Sequence, residues 1–151
     1  MGPDELIPFS LPEGQAVLAA EIEALSDEDA RDVYAILVSI VHQMARLDAG
    51  LNKPTALDDI EVLAASFERY IDNLDKVGDV RLSAQYETLR RGFYASSAAP
   101  NLRYGGQALM VIILGEMMRR EAAVENRHDT SGYESAVRML NRLERAVDPT
   151  A

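Results

Sequence analysis

The sequence predicts an all-α protein folded as a compact six-helix bundle. Apolar residues recur at i, i+3 and i+4 in six separate stretches, the period of a helix with one buried face. Helix start and stop residues bound most of these stretches, and alternating apolar–polar runs between turn residues are absent. At 151 residues the chain is one domain's length and long enough to bury a core. No low-complexity segment or interdomain linker divides it, so residues 1–151 read as a single helical domain.

The first helix is expected from about Pro12 to Leu25, with Val17, Leu18, Ile22 and Leu25 as its stripe. Proline suits the opening turn, where its missing N–H would have no helical partner anyway. Ser26 reads as the N-cap of a second helix to about Asp48, and Asp27, Glu28 and Asp29 favour the positive end of its dipole. Its apolar set runs from Val33 through Ile36, Leu37, Ile40, Val41 and Met44 to Leu47. Gly50 and Pro54 end it. Thr55 caps a third helix, about Ala56 to Val77, stopped by Gly78. Asp79 caps a fourth, Val80 to about Ala95, carrying Leu82, Tyr86, Leu89 and Phe93. Residues 96–106 are expected to be the longest connection, followed by a fifth helix from about Gln107 to Arg127. A sixth starts after Thr130 or Ser131 and runs to about Val147.

A single offset of 73 residues aligns helix 2 with helix 5 and helix 3 with helix 6. Ala35/Ala108, Val38/Val111, Ile40/Ile113, Met44/Met117 and Arg46/Arg119 are identical across it, as are Glu61/Glu134, Arg69/Arg142 and Asp75/Asp148. This suggests an internal duplication: two three-helix halves, residues 12–78 and 79–148, related by a pseudo-twofold axis with helices 2 and 5 at its centre.

The net charge of -10 disfavours nucleic acid and anionic membrane surfaces, which both select clustered cations. Residues 1–78 hold 5 basic and 16 acidic side chains (net -11), whereas residues 79–106 hold 4 and 2 (net +2). Such an acidic half fits either a solvated face or a basic partner. Arginines on helices 5 and 6 could still form a basic stripe for nucleic acid. The first ten residues include Asp4 and Glu5 and no basic start, so a signal peptide is not expected. The longest apolar run, Ala108 to Leu114, falls far short of the ~18 residues of a membrane span. A soluble, cytoplasmic protein is expected.

Reactive constellations are missing from the sequence. With no cysteine there is no thiol nucleophile or cysteine-based metal site. His42 and His128 are the two histidines. Glu125 and His128 have the spacing of one dimetal-bundle motif, but a second such motif is absent. The acids Asp27, Glu28, Asp29, Asp58 and Asp59 sit where first-turn acids belong. No serine lies in a nucleophile-elbow setting, and no phosphate or dinucleotide glycine pattern occurs. No cofactor and no metal are therefore expected.

One segment departs from the acidic background. Arg90, Arg91, Tyr94, Arg103, Tyr104, Gly105 and Gly106 fall within 17 residues. If the glycine pair precedes a helix, its backbone N–H groups and Arg103 would make a pocket for a small anionic or aromatic ligand. Tyr and Arg also anchor protein interfaces. The apolar helix that follows, with Met110, Ile113, Met117 and Met118, offers a surface for self-association as a dimer. The leading expectation is a non-enzymatic interaction module (regulator, inhibitor or adaptor) that self-associates or binds a basic protein. A small-ligand-binding protein is the alternative, and an enzyme or enzyme subunit the third.

Overall fold

A computed structural model of the chain describes residues 12–48, 60–93, 100–125 and 131–147. Six α-helices are found among them: α1 (Pro12–Glu23), α2 (Asp27–Asp48), α3 (Ile60–Asp72), α4 (Asp79–Phe93), α5 (Pro100–Val124) and α6 (Ser131–Val147). The described residues contain no strand. The fold is the all-α helical bundle that the periodicity predicts, and no helix among the described residues is long and apolar enough to cross a membrane.

The bundle is organised around α5. From Gly105 to Glu116 every residue is buried, so this helix has no solvent face over more than three turns. An element apolar all round needs neighbours all round. α2, α4 and α6 pack along it, and α1 touches it more lightly. α6 also packs on α1 and α2, while α3 covers the far side of α2. Tyr34 of α2 meets Phe67 of α3 edge to face, with ring centroids 6.3 Å apart.

Gly105 sets the closeness of the α2–α5 contact. A Cβ built there would lie 2.5 Å from Cγ2 of Ile36 and 3.3 Å from the backbone nitrogen of Leu37. The glycine is what lets the two backbones approach.

Helix ends follow local chemistry. Ser26 Oγ accepts a hydrogen bond from the Asp29 N–H (3.1 Å), as its reading as the α2 N-cap requires. α3 ends earlier than its apolar period implies. The Asn73 side chain donates to the Arg69 carbonyl (2.8 Å), competing for a helix acceptor, and the chain tightens into a 3-10 turn, Leu74–Lys76. Arg120 holds this turn, donating to the Leu74 carbonyl (3.1 Å) and to Asp79 Oδ1 (2.6 Å) at the start of α4. It also donates to Glu116, whose side chain is 8% exposed and which Arg119 grips through two hydrogen bonds. Burial pushes the Glu116 carboxyl up, but the two guanidiniums outweigh it and hold it below the ordinary carboxylate range.

The expected start of the fifth helix is corrected. α5 begins at Pro100, not near Gln107, so residues 100–106 are helix rather than connection. Proline opens the helix where its missing N–H has no cost. α6 turns a slightly different face inward than its bulky residues suggest. Ala136, Met139, Leu143 and Ala146 are buried, while Val147 is 41% exposed and Leu140 half-buried. The two alanines let α6 lie close to its three neighbours.

Among the described residues the packing matches the proposed duplication in one pair, α2–α3 with α5–α6, and departs from it in three. A twofold relating the halves would match α1–α6 with α4–α3, α4–α5 with α1–α2, and α2–α6 with α5–α3. α1–α6, α4–α5 and α2–α6 pack extensively, and their counterparts do not. The repeat positions differ in environment too: Ile113 is fully buried, whereas Ile40 is half-buried.

Alanine at position 105 would raise helix propensity by up to about 1 kcal/mol. The clash with Ile36 should reverse that gain, for a net loss of roughly 1–3 kcal/mol. Denaturant unfolding of Gly105→Ala measures it, and an unchanged or raised midpoint would refute the close-approach role.

Candidate functional site

α2 and α4 both rest on α5 without packing extensively on one another. The space between them is a groove of about 440 Å3. Ile36, Ile40 and Met44 of α2 form one wall, Thr88 and Leu89 of α4 the other, and Leu102 of α5 closes one part of it. Ser39 and Gln43 supply the polar atoms on the α2 side. The three α2 residues recur every four positions, so they share one stripe, about 12 Å long at 1.5 Å per residue. Leu102 is 39% exposed.

The α2 stripe continues toward the helix N-terminus with Asp32 and Asp29, which are four and seven residues before Ile36. Both carboxylates accept from one side-chain amide. Asn101 Nδ2 lies 3.1 Å from Asp29 Oδ1 and 2.9 Å from Asp32 Oδ2. Asn101 directly precedes Leu102, so the acids are fixed at one end of the groove. Their donor is neutral, and among the described residues no cationic side chain forms an ion pair with either.

Among the described residues expected to form an anion or aromatic site, none lines this groove. Gly105 and Gly106 are buried inside α5, one and a half turns past its start. Their expected position ahead of a helix, with free N–H groups, is therefore corrected. Arg90 is gripped by Glu87 at 3.0 and 2.7 Å, and Arg91 lies 3.5 Å from the same carboxylate. These contacts hold Glu87 below its ordinary pKa, the Arg90 hydrogen bond most of all. The Arg103 guanidinium sits 5.4 Å from the Tyr104 ring centroid, and its Nε is buried with no hydrogen-bond partner among the described residues. Tyr94 lies outside the described residues.

The expected interface on the fifth helix is also corrected in part. Met110 and Ile113 are fully buried in the chain's own core and cannot present a surface to another molecule. Met117 and Met118 are half-buried, and Met118 Sδ accepts a long hydrogen bond (3.4 Å) from Gln15 of α1. The site residues that the sequence reading missed are Ile36, Ile40, Met44, Leu89 and Leu102. The signal for the first three was present, because the α2 apolar set is too wide for one buried face.

His42 approaches Ser66 of α3 (Nδ1 to Oγ, 3.4 Å), and its Nε2 is buried without a partner among the described residues. Among the described residues no group of three or more His, Asp or Glu side chains could hold a metal ion. His128, of the Glu125–His128 spacing, lies outside them, as do Asp58, Asp59 and Thr55.

Arg119, Arg120, Arg138, Arg142 and Arg145 of α5 and α6 are engaged within the chain. Arg138 meets Glu23 at 2.6 Å, and Arg142 donates to the Leu25 carbonyl (2.6 Å) and to Asp27 (2.9 Å). Arg145 donates to the carbonyl of Asn141 (3.2 Å). Arg127 lies outside the described residues.

Glu144 on α6 is the poorly accommodated acid. Partial desolvation, then repulsion from Glu68 of α3, raise its pKa. Desolvation raises the Tyr34 hydroxyl as well, with the charges of Glu144 and Glu68 adding to it. A carboxyl whose pKa is higher folded than unfolded favours folding while protonated. That contribution is present below the ordinary carboxylate range and is lost as pH rises through the folded value. Glu144→Gln should therefore raise Tm at pH 7, by an exposed-site gain of at most about 1 kcal/mol, and leave it unchanged near pH 3. Thermal melts at both pH values test this, and a Tm lowered at pH 7 would contradict it. Compared with known proteins, the chain matches no family model, no curated protein and no solved structure.

Proposed function

We propose that this protein is a non-enzymatic helical interaction module, a regulator, inhibitor or adaptor, whose docking surface is the groove between α2 and α4. The observation that carries this reading is the groove itself: an apolar stripe of half-buried Ile36, Ile40 and Met44 on α2, with exposed Leu102 of α5 and buried Leu89 of α4 lining the same space. Amphipathic segments bind such grooves through residues spaced i, i+3, i+4 and i+7.

Self-association through α5 was the sequence-based expectation. From Gly105 to Glu116 the apolar faces of α5 are covered within the chain, while Met117 and Met118 stay half-buried and Leu102 exposed. A heterologous partner fits better, since copies each carrying -10 repel one another. An anionic small ligand near residues 90–106 is less favoured, because Glu87 already engages Arg90 and Arg91. Nucleic acid fares similarly, as Arg119, Arg120, Arg138, Arg142 and Arg145 are engaged by acids and carbonyls.

Site-specific photo-crosslinking in the native cells tests the reading. A photoreactive side chain at Leu102 should give a discrete protein adduct. The same group at Val80, apolar and 87% exposed but outside the groove, should give none. Equal labelling from both positions, or no adduct from Leu102, would count against a docking surface here.

A further inference from the structure

The groove has a shape and a polarity that together describe its occupant. Its shape comes from the ring of helices around α5, in which α2 and α4 are neighbours that do not close on each other. A rod lying along the groove would face Ile36, Ile40 and Met44 of α2, all half-buried, and the exposed Leu102 of α5. The apolar stripe of α2 from Ile36 to Met44 spans just over two helical turns.

Polarity comes from the ends. At the α2 N-terminal end stand Asp29 and Asp32, both exposed and both fixed by the neutral Asn101 amide. The α2 dipole offsets part of the charge on Asp29, which is in the first turn. It does less for Asp32, which lies beyond that turn. On the opposite wall, the cations following Leu89, Arg90 and Arg91, are engaged by Glu87. Glu87 offsets only one of those two guanidinium charges, while on α2 Asp29 and Asp32 stand with no cationic partner among the described residues, in a chain whose first 78 residues carry 5 basic and 16 acidic side chains (net -11).

We propose that the groove receives an amphipathic helix of a basic partner protein, its apolar stripe on Ile36, Ile40, Met44 and Leu102 and its cationic residues against Asp29 and Asp32. This inference rests on the docking reading above and adds the partner's chemistry and its orientation. The apolar floor supplies the attraction, and the two carboxylates select sign and direction, because opposed charges at an interface steer encounter and fix register more than they add affinity.

Fluorescence anisotropy with three labelled synthetic peptides tests it on the full chain. One is a Leu/Lys amphipathic helix of 18 residues or about five turns, one the same helix with Glu replacing Lys, and one a scrambled Leu/Lys sequence with no apolar stripe. The Leu/Lys helix should bind at least about tenfold tighter than either control at low salt, with the preference shrinking as salt is added. Asp29→Asn with Asp32→Asn should remove most of the Lys-over-Glu preference, and Ile40→Asp should remove binding of the Leu/Lys helix. Circular dichroism confirms that each variant remains folded, and Met44→Asp replaces Ile40→Asp if the latter does not.

The outcomes separate the two claims. Equal binding of the Lys and Glu helices, lost in Ile40→Asp, would keep the docking groove and overturn the basic partner. A preference for Lys that survives the double Asn variant would overturn the role of Asp29 and Asp32. Scrambled peptide binding as well as the helix would overturn the helical occupant. No peptide bound at all, or a concentration-dependent dimer abolished by Ile40→Asp, would overturn the heterologous docking reading itself.

Discussion

The structure depends on enclosing one helix. α5 is buried continuously from Gly105 to Glu116, so the other helices are arranged by the need to cover it. α2 gets closest, at a crossing where Gly105 meets Ile36 and Leu37. Once α2, α4 and α6 have taken their places on α5, the order of contacts among them follows: α6 reaches α1 and α2, α3 backs α2, and α4 is left beside a gap. The groove is a consequence of that arrangement. α2 and α6 pack both on α5 and on each other, whereas α2 and α4 pack on α5 without packing extensively on each other, and the groove lies between them.

Electrostatics does a second, separate job. The arginines act largely as internal fasteners. Arg120 ties the 3-10 turn after α3 to the start of α4, and Arg142 ties the end of α1 to the start of α2. Glu116 shows what such pairing requires. A carboxylate this enclosed keeps its charge because two guanidiniums donate to it. With the cations turned to these tasks, the acids of the N-terminal half dominate what the exterior offers. Glu144 marks the limit of that economy, an acid beside another acid with no fastener of its own.

Much of the fold was legible residue by residue. Ser26 caps α2 through the hydrogen bond its position implies, and α6 opens at Ser131 as the capping residues suggest. Where the reading failed, a local cue was misattributed. Gly105-Gly106 looked like a turn, because glycine is the residue turns use. Its role here is a close helix crossing, and a sequence does not reveal which backbone approaches which. The apolar period of α3 runs on past Asn73, where the helix gives way to a 3-10 turn and the Asn73 side chain and N–H share the Arg69 carbonyl. The candidate site near residues 90–106 was assembled from proximity in sequence. In space Arg90 and Arg91 turn to Glu87, and Gly105 turns to α2.

By itself the order of amino acids determined the helical class, the approximate extent of most helices, the wide apolar faces of α2 and α5, and the acidic imbalance. These are local properties, written in period, capping chemistry and composition. The tertiary structure decided which of the two wide faces would be satisfied internally. It enclosed α5 from Gly105 to Glu116 and left Ile36, Ile40 and Met44 of α2 only half-buried, because a helix is surrounded only at the centre of a bundle.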